Sequence, residues 1–144
     1  MLHARINRTN PEKIFIVVKN SYSTSAVTVG YPVHWDTSEA DGVAVSIPAA
    51  NKSVCAAGVI ADASIANGSY GLMQIYGYNA DAIVDGGTDV AAGDPLVMNA
   101  GAFELYKMST ASTTAGVVEV PCGFALAAIT AATAAATAVF LKCM

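Results

Sequence analysis

Charged residues are scarce in this sequence. They make up 12% of the 144 residues, whereas hydrophobic residues make up 54% and the mean hydropathy is +0.49. The charged share is about half of the usual one. A chain of this length is typical of one domain of ordinary size. So much apolar surface in so short a chain predicts burial beyond one monomer's own core, in an oligomer, an assembly or a membrane.

Histidine and cysteine are too few for the common metal and catalytic sites. The three cysteines, which we expect to be free thiols, form no Cys-x-x-Cys pair: Cys55, Cys122 and Cys143. This pattern excludes a disulfide framework and a zinc signature. His34 lies two residues before Asp36, on the same face of a predicted strand, but no second histidine of the body completes a metal or acid–base site.

Other signatures of chemistry are missing as well. There is no Gly-x-Ser-x-Gly elbow, and no lysine follows the scattered glycines as a phosphate-cradling loop requires. The acidic stretch Asp85–Asp89 lacks the spaced ligands and terminal glutamate of an EF-hand, and we interpret it as a solvated turn. We therefore expect a structural or binding protein rather than an enzyme, with no cofactor and no bound metal.

Basic residues are concentrated at the N-terminus. The first 19 residues contain four basic side chains against the single acid Glu12: Arg5, Arg8, Lys13 and Lys19. The rest of the chain has three lysines against ten acids, so the arm carries +3 and the body −7. Such an acidic body is a poor nucleic-acid binder. The four basic residues are instead candidates for contact with an acidic protein surface, and a frayed, solvated terminus is the alternative.

Short apolar runs separated by turn residues predict an all-β fold, either a small barrel or a sandwich. The predicted strands lie in Ser25–Trp35, Gly42–Pro48, Tyr70–Tyr78, Gly101–Met108 and Ala115–Gly123. Asn10-Pro11 disfavours a helix in the preceding segment. We therefore predict an extended N-terminal arm, residues 1–20, followed by one β-rich domain, residues 21–144.

The chain also resembles itself at a period of about 64 residues. Val29–Val33 is similar to Ala92–Leu96, and the glycines of these two Gly-x-Pro steps lie 63 residues apart. Ala57–Ile65 is similar to Cys122–Ile129, with glycines 65 apart. Similarity at a fixed period predicts half-repeats at residues 27–78 and 90–143, although chance similarity in a chain rich in glycine and alanine is the alternative. Each proline suits the first residue of a strand, because it has no amide hydrogen to donate.

The uncharged segment Gly123–Leu141 has three interpretations. Alanine is the best helix former, which favours a buried helix. A membrane span is weakened by three threonines and by the marginal hydrophobicity of alanine. The half-repeat favours a hairpin, because the corresponding segment of the first copy contains the turn signal Asn67-Gly68.

These turn and strand motifs resemble those of the capsid decoration proteins of tailed phages, also called cement or head-stabilising proteins. The resemblance covers about Val27 to Lys142 and rests on three motifs: Gly93–Val97, Gly123–Ala127 and Ala138–Leu141. The segment before residue 21 departs from the family pattern.

The resemblance implies a structural virion protein on the outer surface of the capsid. It implies a homotrimer that binds the major capsid protein and stabilises the head lattice, without enzymatic activity, nucleic acid or membrane. Arg5, Arg8, Lys13 and Lys19 are then the capsid-contact candidates. Ile14–Val18 is too short for a signal-peptide core, so synthesis in the host cytoplasm is expected. The alternatives are another multimeric virion component, such as a tail or fibre subunit, and a small-ligand-binding β-barrel.

Overall fold

The protein is built from β-strands throughout the part of the chain that the structure describes. This structure, a computed structural model, describes residues 12–48, 55–87, 89–108, 120–130 and 133–143. The strands are β1 (Lys13–Asn20), β2 (Val27–Thr28), β3 (Pro32–Trp35), β4 (Ala44–Ser46), β5 (Ala56–Ile60), β6 (Ser64–Ile65), β7 (Tyr70–Val84), β8 (Pro95–Met98), β9 (Leu105–Lys107), β10 (Gly123–Ala125) and β11 (Ala135–Lys142). The all-β prediction is confirmed. Most of the predicted strand at Ala115–Gly123 lies outside the described residues.

Both Gly-x-Pro steps begin a strand, as predicted. Pro32 is the first residue of β3 and Pro95 is the first residue of β8. The glycines before them, Gly30 and Gly93, have φ angles of 85° and 93°. Glycine adopts this left-handed conformation without the steric cost that a Cβ imposes.

The uncharged tail contains two antiparallel strands and no helix among its described residues. In β10 and β11, Phe124 lies opposite Phe140, and Ala125 opposite Val139. The hairpin interpretation is therefore confirmed, with the closing strand beginning at Ala135. The described residues contain no helix with the length and hydrophobicity of a membrane span.

The strand pairings close two rings of five strands, which share β7. Ring 1 consists of β1, β4, β3, β5 and β7, and ring 2 consists of β7, β11, β10, β8 and β9, each in order of pairing. β7 serves both rings because it is 15 residues long. Its residues 70–77 pair with β1, and its residues 76–84 pair with β11.

Each ring encloses its own apolar core. The core of ring 1 contains Val18, Val27, Val33, Val45, Ala57, Ile60, Ile65 and Met73. The core of ring 2 contains Ala82, Val84, Val90, Leu96, Met98, Leu105, Cys122, Ala125, Ile129, Val139 and Leu141, together with Val59 from β5 of ring 1. The two cores therefore meet through Val59.

The two rings contain equivalent strand pairings in the same register. The matching pairs are Pro32–Val59 with Pro95–Phe124, Val33–Gly58 with Leu96–Gly123, Val59–Gln74 with Phe124–Phe140, and Val27–Ile65 with Val90–Ile129. β1 of ring 1 is equivalent to the end of β7 in ring 2. β1 pairs in parallel with β4, and the end of β7 pairs in parallel with β9.

The predicted N-terminal arm, residues 1–20, includes a strand of the fold. Residues 1–11 lie outside the described part of the chain, whereas β1 pairs with β7 from Lys13 to Lys19 and closes ring 1. The described body therefore starts at β1 rather than at residue 21. The reason is that the apolar run Ile14–Val18 supplies side chains to both faces of a strand, whereas the predicted boundary rested on charge.

Candidate docking surfaces

The four predicted contact residues are not brought together in the described structure. Arg5 and Arg8 lie outside the described residues. The ammonium of Lys13 lies 5.7 Å from the ring centroid of Tyr78, within the range of a cation–π contact. Lys19 is paired with acids of its own chain, Glu39 and Asp41.

Lys19 forms ion pairs with two carboxylates of the segment before β4. Its Nζ lies 3.3 Å from Glu39 Oε2 and 3.3 Å from Asp41 Oδ2. Hydrogen bonds to these two carboxylates raise the pKa of Lys19. Exposed pairs of this kind contribute little to stability, because water and salt screen them. The charge of Lys19 is therefore balanced within the chain rather than presented alone to a partner.

One exposed apolar surface lies on the outer face of β1 and the first half of β7. Val18 and Asn20 of β1 point inwards and are fully buried, so Phe15 and Val17 point outwards and are 44% and 58% exposed. Across the antiparallel pair, Val17 lies opposite Leu72, and directly opposite residues share a face. We call this surface, which consists of Phe15, Val17, Tyr70 and Leu72, the β1–β7 patch.

A second exposed apolar surface lies on the outer face of β10 and β11. The rings of Phe124 and Phe140 are stacked with centroids 5.3 Å apart, and the rings of Tyr76 and Phe140 form a T-shaped pair with centroids 5.3 Å apart. Leu126, just after β10, extends this surface. A shallow depression beside Phe124 is lined by Gly93, Pro95, Pro121, Gly123 and Lys142. We call the surface of Phe124, Leu126, Phe140 and Tyr76 the aromatic patch.

Neither patch was among the predicted contact residues, although the sequence carries a signal for both. An antiparallel strand with one face in water normally alternates apolar and polar residues. Ile14–Val18 and Gly123–Ala127 contain apolar residues without such alternation. Each of these two runs predicts a strand with two apolar faces, but only the strand register shows which face is exposed.

The side chains of His34 and Asp36 form hydrogen bonds with different partners. Nδ1 of His34 donates to the carbonyl oxygen of Trp35 at 2.8 Å, and Nε2 has no hydrogen-bond partner among the described residues. Asp36 accepts hydrogen bonds from the hydroxyls of Ser21 and Ser38, both at 2.6 Å, and these bonds lower its pKa. Among the described residues, no three His, Cys, Asp or Glu side chains are grouped to hold a metal ion.

We expect His34 to make the protein less stable as the pH falls below about 6.5, the ordinary pKa of histidine. Burial lowers the pKa of His34 below its ordinary value, against a smaller opposite effect of Asp36. Below about pH 6.5 the unfolded chain therefore binds a proton that the folded chain resists, so stability falls with pH in that range. Urea unfolding at a series of pH values should show a shallower decline for His34→Gln than for the wild type. Parallel profiles for the two proteins would contradict this expectation.

The described residues define an all-β chain of two strand rings, with an exposed apolar patch on each ring. No protein-family model matches the chain, and no curated protein matches its sequence. Among solved structures, the fold is similar to that of the head fiber gp8.5 N base of bacteriophage phi29. The TM-score is 0.53 at 14% sequence identity, and the match covers 91% of this chain and 95% of that chain. The match therefore shows a shared fold.

Proposed function

We propose that the protein is a structural component of a bacteriophage virion that binds the outer surface of the capsid and stabilises the head lattice. The observation that carries this proposal is the fold shared with a phage head fiber base over nearly the whole of both chains. The strand and turn motifs that resemble phage decoration proteins support the same class of function independently. The proposed partner is the major capsid protein, and the proposed assembly is a homotrimer.

The proposed capsid-binding surface is the β1–β7 patch together with the segment before it. An exposed apolar patch on a small protein is typical of an interaction site. β1 directly follows residues 1–11, which contain Arg5 and Arg8. Basic residues therefore precede the apolar patch along the sequence. Repeated seating on a lattice strengthens modest individual contacts through multivalency.

The second candidate function is the base of a head fibre, which would attach to the head without stabilising it. It is favoured by the name of the similar structure, which is a base of this kind. The two functions differ in their effect on the head. A stabilising protein raises the temperature at which heads break, whereas a fibre base leaves that temperature unchanged.

Binding to phage heads that lack the protein tests the proposed function. The wild-type chain is expected to add regular density to the outside of such heads in electron micrographs, and to raise their temperature of disruption. Val17→Asp places a charge in the β1–β7 patch. It should weaken binding on the order of 10-fold or more, which is the scale of losing an apolar anchor at an interface.

Val29→Asp is the matched control, because Val29 is also an exposed valine but lies in the turn before β3. It should bind heads as the wild type does. Equal binding of the two variants would show that the β1–β7 patch is not the docking surface. No added density with the wild type would overturn the proposed function itself.

A further inference from the structure

The aromatic patch occupies the position in ring 2 that a buried surface occupies in ring 1. Val59 follows Gly58 in β5 as Phe124 follows Gly123 in β10, and both strands keep the same register with their neighbours. On the next strand, Gln74 lies opposite Val59, as Phe140 lies opposite Phe124. The outer face of β5 and β7 is therefore equivalent to the outer face of β10 and β11.

In ring 1 this face is covered by ring 2. Val59 is 0% exposed and belongs to the core of ring 2, and Gln74 is 2% exposed. The amide of Gln74 donates to the carbonyl oxygens of Tyr76 and Tyr78, and its oxygen accepts a hydrogen bond from Asn79. These partners lie where β7 enters ring 2, so the contact between the rings satisfies the polar group that it buries.

In ring 2 the equivalent face is exposed, yet its side chains are larger and more apolar. Phe124 is 40% exposed where Val59 is fully buried. Phe140 replaces Gln74, and Leu126, which is 42% exposed, replaces Ala61. The positions of Ala61 and Leu126 match because the amide of Ala61 bonds to Leu72 as the amide of Leu126 bonds to Ala138. A face that stays in water is expected to be polar.

We infer that a second copy of this chain binds to the aromatic patch. The second copy would cover this face of ring 2, as ring 2 covers the equivalent face of ring 1. Such a contact joins two different faces, because the covering surface belongs to another part of the neighbouring copy. A contact between different faces produces either a closed cyclic oligomer or an open filament. A cyclic oligomer of three copies would match the homotrimer, and only this copy number rests on the proposed function.

Self-association of the purified chain tests the inference without any capsid. The wild type is expected to sediment as a species of more than one chain at micromolar concentrations. Phe124→Asp should raise the dissociation constant on the order of 30-fold or more, as expected for loss of an aromatic anchor. Phe15→Asp is the matched control, because Phe15 is 44% exposed but lies in the β1–β7 patch. It should associate as the wild type does.

Leu126→Asp provides a second variant outside the paired residues of β10, in case Phe124→Asp does not fold. Circular dichroism identifies the variants that keep the β-fold. The inference is overturned if the wild type remains a single chain up to high micromolar concentration. It is also overturned if folded Phe124→Asp and Leu126→Asp keep the mass of the wild type. If these variants melt at a lower temperature but keep the mass of the wild type, the patch is covered by another part of the same chain.

Discussion

Gly77→Ala is expected to destabilise the protein much more than Gly93→Ala. Both glycines have positive φ angles, 98° for Gly77 and 93° for Gly93. A Cβ at Gly77 would overlap the carbonyl oxygen of Glu12, whereas a Cβ at Gly93 would meet nothing within 4 Å. The two substitutions therefore share the backbone cost and differ in the steric overlap.

The expected size of the difference follows from these two contributions. The left-handed conformation costs an alanine about 1–2 kcal/mol. Overpacking against a neighbour adds about 1–3 kcal/mol. Gly93→Ala should thus lower the free energy of unfolding by about 1–2 kcal/mol, and Gly77→Ala by about 2–5 kcal/mol. Urea unfolding followed by circular dichroism measures both, and equal losses would show that the backbone at Gly77 moves away from the overlap.

Gly77 is sensitive because β7 passes from ring 1 to ring 2 at this residue. It pairs with Lys13 of β1 on one side and with Leu141 of β11 on the other. The backbone of Glu12 approaches so closely that only a residue without a side chain fits between the two neighbouring strands. The same glycine therefore allows one strand to serve two rings.

The strands that the sequence predicted well are those with local signals. Pro32 and Pro95 begin strands because proline suits that position whatever the distant neighbours are. The hairpin of β10 and β11 was predicted from similarity to an earlier segment rather than from its own alanine-rich composition. Turn chemistry was enough at the two prolines, because it depends on residues close in sequence, and similarity to the first half-repeat was enough at the hairpin.

Ring closure could not be predicted, because it depends on pairs that are distant in sequence. The parallel pairings of Lys19 with Ala44 and of Val84 with Leu105 complete the two rings. The sequence carries no local signal for either pairing. The predicted strand Tyr70–Tyr78 is also shorter than β7, which continues through Tyr78 to Val84.

The contact residues were only partly predictable for the same reason. Lys19 stands out as a basic residue in the sequence, but its partners Glu39 and Asp41 lie 20 and 22 residues away. Charge counting cannot show that these carboxylates balance it. The exposure of Phe124 is likewise a consequence of register, because a shift of one residue would place it in the core.

Leu105→Ala, in the core of ring 2, is expected to weaken ring 1 as well. Leu105 is fully buried, and truncation of a buried leucine costs about 2–5 kcal/mol. The rings share β7, and Val59 of ring 1 packs in the core of ring 2. We therefore expect the two rings to unfold together. Trp35, the single tryptophan, packs against the core of ring 1 and reports on that ring alone.

In urea, Trp35 fluorescence and circular dichroism should give coincident transitions for the wild type. Both should shift by the same amount in Leu105→Ala, because coincidence of different probes is the mark of a two-state transition. Val120→Ala, at an exposed valine before β10 that belongs to neither patch, should shift neither by more than about 0.5 kcal/mol. If Leu105→Ala lowers the circular dichroism transition while the Trp35 transition stays in place, the rings fold independently. β7 would then be a shared strand without being an energetic link.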